Sequence, residues 1–97
     1  MRVEYHPQVA SDLNSAIEHY NELHSGLGDL LRAEVYAAID RIRLNPAQYR
    51  EIEAGVRRCL VHRFPYSVLF RCPAADVIRV LVIRHHRRRP TFGLGRR

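Results

Sequence analysis

Apolar and polar residues alternate in Arg2-Val3-Glu4-Tyr5, the period of a short half-buried strand. His6-Pro7 closes it, because proline disfavours helix just before itself and is tolerated in a first helical turn. From there to about His24, Val9, Leu13, Ile17, Tyr20 and Leu23 recur at three-and-four spacing, with Ala10 and Ala16 beside them. Asp12, Asn14, Glu18, Asn21 and Glu22 take the other face, so the segment reads as an amphipathic helix. Ser25-Gly26 stops it, glycine being suited to a left-handed position. Leu27, Leu31, Val35, Ile39 and Ile42, widened by Leu30 and Ala38, predict a second helix to Leu44, and Asn45-Pro46 ends it. So short a turn makes the two helices antiparallel neighbours. Tyr20 and Tyr36 read as packing at the edge of the core.

The pattern then changes to period two. A short strand is expected in Tyr49-Arg50-Glu51-Ile52. In the run from Val56 to Arg63, alternation puts Val56, Arg58, Leu60 and His62 on one face and Arg57, Cys59, Val61 and Arg63 on the other. An arginine inside such a strand needs a partner or a solvent edge, and a helix carboxylate is one candidate partner. Phe64-Pro65-Tyr66 reads as a turn and packing motif. A strand follows from Tyr66 to Arg71, then a hairpin connection over Cys72–Asp76. Val77 to Ile83 is apolar except for Arg79, as expected of a central strand covered on both faces. The last three strands are expected to be antiparallel neighbours. Residues 84–97 form a basic tail, and Gly93 and Gly95 argue against order past Arg89 without a partner. No repeat or linker divides the chain, so residues 1–97 are expected to form a single domain.

Charge sharpens this picture. Residues 1–56 carry five arginines against nine acids; residues 57–97 carry eleven arginines and one acid, Asp76. That polarity implies a surface for phosphates or an acidic partner. There is no lysine, so the choice of arginine at any one position says little. No apolar run reaches the ~20 residues of a membrane span, and no secretory leader is read at the start, so no membrane association is expected and the cytoplasm is the expected compartment. Cys59 and Cys72 flank no metal-binding spacing and read as two small core residues.

The order strand–helix–helix–strand–strand–strand resembles the RelE/ParE superfamily of bacterial type II toxins. The residues that carry the resemblance are His6-Pro7 with Ala10 and Leu13, then Asn45-Pro46 with Tyr49-Arg50. Gly55-Val56-Arg57-Arg58, Arg63-Phe64-Pro65-Tyr66, and the last strand running into His85, Arg87, Arg88 and Pro90 complete it. The resemblance implies an α+β fold, with an N-terminal strand and an antiparallel two-helix hairpin packed on a twisted, mainly antiparallel sheet. It also implies a toxin neutralised by a cognate small antitoxin whose toxin-binding segment is acidic. ParE-like members of the superfamily poison DNA gyrase. RelE-like members cleave mRNA on the ribosome.

The residues weigh toward the ParE-like branch and leave two alternatives standing. RNA cleavage by 2′-OH attack needs a general base, a general acid and cations around the phosphate. Arg57, Arg58, Arg63, His85 and Arg88 are the candidate set for an mRNA endonuclease. RelE-like enzymes commonly carry a proton-transferring tyrosine or histidine near the C-terminus; the aromatic residue here is Phe92, which stacks but transfers no proton. His85 and His86, adjacent on an extended segment, face opposite sides. They lack companion ligands, so neither a metal nor a cofactor is expected. Arg84, His86, Arg87, Arg89 and Phe92 are the candidate contacts to the target, whether gyrase or ribosome, or to the antitoxin. The leading expectation is growth inhibition through gyrase without covalent chemistry. The alternatives are the ribosome-dependent endonuclease and an inactive antitoxin-binding module.

Overall fold

A computed structural model describes residues 1–97. Its elements are β1 (Arg2–Tyr5), α1 (Val9–Leu23), α2 (Leu27–Leu44), a 3-10 turn (Pro46–Gln48), β2 (Glu51–Glu53), β3 (Val56–Leu60), β4 (Tyr66–Ala74) and β5 (Val77–His85). The sheet runs β1-β5-β4-β3-β2, with β1 parallel to β5 and the other pairs antiparallel. This is the α+β arrangement expected from the pattern.

Both helices lie on one side of the sheet, here called the inner face. Val9, Leu13, Ala16 and Ile17 of α1 and Leu31, Val35, Ala38, Ile39 and Ile42 of α2 meet Cys59, Val68, Phe70, Ile78 and Val80 in one core. Three leucines of the predicted stripes stay outside it: Leu23 and Leu30 are exposed and Leu27 is half-buried. Tyr20 packs on the core while Tyr36 is half-exposed, so only the first matches the packing role expected of both. Cys59 is buried, but Cys72 is exposed, because β4 continues past Arg71 and carries Cys72 out along the hairpin.

The helix connection needs Gly26, whose φ of +87° lies in the left-handed region. Just beyond it the Gly28 N–H donates to the Asn21 side chain at 2.8 Å, tying α2 back to α1. Arg79, the one charge in the apolar run of β5, stands opposite Glu4 of β1 and donates to it twice, at 2.7 and 3.1 Å.

The outer face has its own small core. Val56, Leu69, Leu81 and Val82 are buried there, with Ile52, Phe92 and Leu94 packed against them. The C-terminal tail supplies this cover. It was expected to lack order alone; it folds back over the sheet because four apolar side chains would otherwise face water, at about 1.5–3 kcal/mol each. Leu81 and Val82 both point outward because a register shift in β5 sets Val82 opposite Leu69 but Val80 opposite Phe70, leaving Leu81 as an extra residue. The bulge reverses the phase of everything after it.

Candidate functional site: a cationic hollow on the outer face

Beyond the bulge, Ile83 and His85 face inward while Val82 and Arg84 face outward. Cross-strand register then sets Arg84 opposite Ser67, Ser67 opposite Leu60, and Arg58 opposite Leu69 on the same outer face. The chain turns after His85 and brings His86, Arg88 and Pro90 back over this row. Together they line an open hollow of about 340 Å³ that contains no carboxylate.

Arg84 is its deepest cation, only 9% exposed. One guanidinium nitrogen donates to the carbonyls of Pro90, at 2.6 Å, and Phe92, at 3.4 Å. This holds the start of the tail in place. No buried polar side-chain atom lacks a partner, so the remaining Arg84 nitrogens are not sealed in, and the residue lines the hollow. Burial, and then the charge of Arg58, push the Arg84 pKa below the ordinary arginine value. The group still carries its proton at any physiological pH. Ser67 Oγ and His86 Nε2 lie 3.0 Å apart, fixing the imidazole at the wall. The Arg88 guanidinium lies 4.6 Å from the centre of the Phe92 ring, which sets its direction.

The five residues expected for cleavage chemistry do not meet. Arg58 and Arg88 share the hollow, and Arg88 also meets His85 in a neighbouring polar hollow lined by His19, Tyr66 and Asp12. Arg57 points the other way and donates to the Tyr49 carbonyl at 2.6 Å, a backbone partner rather than the helix carboxylate considered for it. Arg63, with φ +71°, leans on Glu34 of α2 at 3.3 Å. His85 faces inward and meets Tyr66 edge-on, with centroids 5.0 Å apart, in an aromatic chain through Tyr20 to Phe64. The turn-and-packing role expected of Phe64-Pro65-Tyr66 is seen here. Burial, then the charges of Arg87, His86, Arg88 and His19, lower the His85 pKa below the ordinary histidine value. Of the residues expected to contact a target, Arg84 and His86 are in the hollow, Arg87 and Arg89 are exposed beside it, and Phe92 packs down on the small core of the outer face.

Ser67 went unremarked in the sequence because a serine in an apolar strand gives no signal of its own. Arg96 did too, and Asp12 read only as one of the polar residues on the outer side of its helix. β1 covers β5 only as far as Val80, so the edge beyond is open. Asp12 accepts from the Ile83 N–H at 3.2 Å, and Arg96 donates to the Leu81 carbonyl at 3.0 Å, filling that edge. The two side chains also pair at 2.6 and 3.1 Å, both nearly buried, and pin the end of the tail. No group of three or more His, Cys, Asp and Glu side chains stands together as metal ligands would. No helix is long and apolar enough to cross a membrane.

No curated protein sequence matches the chain. Among solved structures, a chain from the chromosomal ParDE toxin–antitoxin system of P. aeruginosa superposes with a TM-score of 0.76 at 21% identity, covering 88% of this chain and 95% of that one. At that identity the likeness speaks to the fold. The family model for the ParE toxin of the type II toxin–antitoxin system parDE matches residues 3–90, which include both helices, all of the sheet but its first residue, and the hollow, and the chain therefore belongs to the ParE toxin family.

Proposed function

We propose that this toxin arrests growth by poisoning DNA gyrase in the cytoplasm, without covalent chemistry of its own. A cognate antitoxin with an acidic toxin-binding segment holds it inactive. The observation that carries the reading is the make-up of the hollow. The fold fixes Arg58, Arg84 and Arg88 around one imidazole, while His85 faces inward and lines a separate hollow with which the first shares only Arg88. Such a site binds anions well, but lacks the second proton-transfer group that strand cleavage calls on. A ribosome-dependent endonuclease is the second reading, favoured by one detail: His86, hydrogen-bonded to Ser67, stands among the cations.

The deciding experiment pairs two assays on the antitoxin-free protein. In a gyrase reaction with plasmid DNA, supercoiling is expected to stop and enzyme-linked breaks to accumulate. In a purified translation system, primer extension is expected to show intact mRNA. Cuts mapping to the ribosomal A site, with normal supercoiling, would overturn the gyrase reading in favour of the endonuclease.

A further inference from the structure

The hollow is a concave, carboxylate-free cluster of cations drawn from three separate parts of the chain. Arg58 comes from β3, Arg84 from β5, and Arg88 from the turn beyond, with Ser67 and His86 between them. None of the three arginines is among those that pair with an acid, which are Arg2, Arg43, Arg63, Arg79 and Arg96. A planar carboxylate is matched by one guanidinium fork approaching in its plane. Guanidinium groups from several directions, with a hydroxyl and an imidazole, suit an oxyanion whose charge is spread over a tetrahedron. Leu60, over half exposed at the rim, and the exposed Arg87 and Arg89 beside it extend the surface beyond what a free ion would cover.

We propose that the hollow is a phosphate site that takes a backbone phosphodiester of DNA, with Arg58, Arg84 and Arg88 as its cations and Ser67 and His86 as further hydrogen-bonding contacts. The inference rests on the gyrase reading and gives it a physical form. The toxin meets gyrase together with its DNA, and the hollow holds the strand. Arg84 serves two ends. Its bonds to Pro90 and Phe92 shape the wall, and its remaining N–H groups are left to the ligand.

The test is fluorescence anisotropy of a short labelled duplex DNA with the full-length, antitoxin-free protein. Arg58→Gln and Arg88→Gln are the variants, both at exposed positions; Arg84 is left intact because it holds the tail. Each is expected to weaken binding roughly tenfold at low salt and to make the salt slope shallower by about one phosphate contact. Arg32→Gln, an exposed position on α2, is expected to bind as the unaltered protein does. Unchanged affinity in both pocket variants overturns the proposal. Displacement of the DNA by millimolar inorganic phosphate supports a phosphate site. Binding of inorganic phosphate with no DNA bound makes it a site for a free ion, and overturns the DNA assignment. Preference for an RNA of the same sequence, or loss in the variants of a polyglutamate peptide but not of DNA, overturns it too. Running the same variants against gyrase separates the two claims. Loss of DNA binding with gyrase inhibition intact sinks the role given to the hollow and leaves the gyrase reading standing. DNA held through the hollow by a protein that leaves gyrase unaffected does the reverse.

Discussion

Two histidines adjacent in sequence have been given different work by one residue of phase. His86 stands at the outer wall, held by Ser67 at 3.0 Å. His85 packs inward on Tyr66, where partial burial and the neighbouring Arg87, His86 and Arg88 charges oppose its protonation. It is therefore neutral at neutral pH and a weak candidate for a general acid. Proton-detected titration is expected to place its pKa below the ~6.5 of an unperturbed histidine. Arg87→Gln and Arg88→Gln should each move that value back up. The linkage sign follows from the direction. The unfolded chain binds this proton more readily than the folded one, so His85 leaves stability untouched above the unfolded pKa. Stability is lost as pH falls from there toward the folded pKa. A His85 pKa at or above the ordinary value would contradict the environment described for it.

At the scale of elements, the helices were legible and the end of β5 was not. Three-and-four spacing placed α2 from Leu27 to Leu44 because a helix face is written directly in the sequence. A bulge has no such signature here: Leu81 and Val82 are both apolar, and either phase looks acceptable in a strand buried on two sides. Strict alternation from Ile78 and Val80 would have put Arg84 and His86 under the helices and His85 beside Arg58. For that reason the arginine and histidine run announced a cationic site while the grouping of its members stayed hidden. The tail was misjudged for a related reason, since its glycines look like linker residues until Val82 is seen beneath one of them. Gly93 has φ +83°, and an added Cβ there would lie 2.7 Å from the Val82 side chain. Gly26 has a similar φ, +87°, but nothing within 4 Å of the same added atom. Gly26→Ala should therefore cost only the left-handed backbone strain, roughly 1 kcal/mol. Gly93→Ala should cost more, about 2–3 kcal/mol, because it meets the sheet as well or lifts Phe92 and Leu94 off it. Denaturant melts of the two variants test this. Equal losses would mean that the tail does not rest on Val82 in solution.

For the whole molecule, the half of the chain that builds the helices carries nine of the ten acids and the half that builds β3 to β5 carries eleven of the sixteen arginines. The acids do little to neutralise the basic end: Arg84, Arg87, Arg88 and Arg89 are outside every ion pair in the molecule. A ParDE-type system supplies an antitoxin as partner, and a chain of net charge +6 whose residues 57–97 carry eleven arginines against one acid gives that partner something to find at a distance. Charges at the rim of an interface act mainly on the rate of encounter, while packed contacts set the rate of release. Stopped-flow association with the cognate antitoxin should therefore slow steeply as salt rises from about 0.05 to 0.5 M, as the screening length shrinks toward a few Å. Arg87→Gln combined with Arg89→Gln should lower the association rate at low salt by roughly three- to tenfold, while dissociation stays near its original rate. Arg43→Gln, already neutralised by Asp40 at 3.5 Å, should change neither rate. An association rate indifferent to salt would mean that the antitoxin engages through shape and apolar contact alone, and that the cationic end is left for the target.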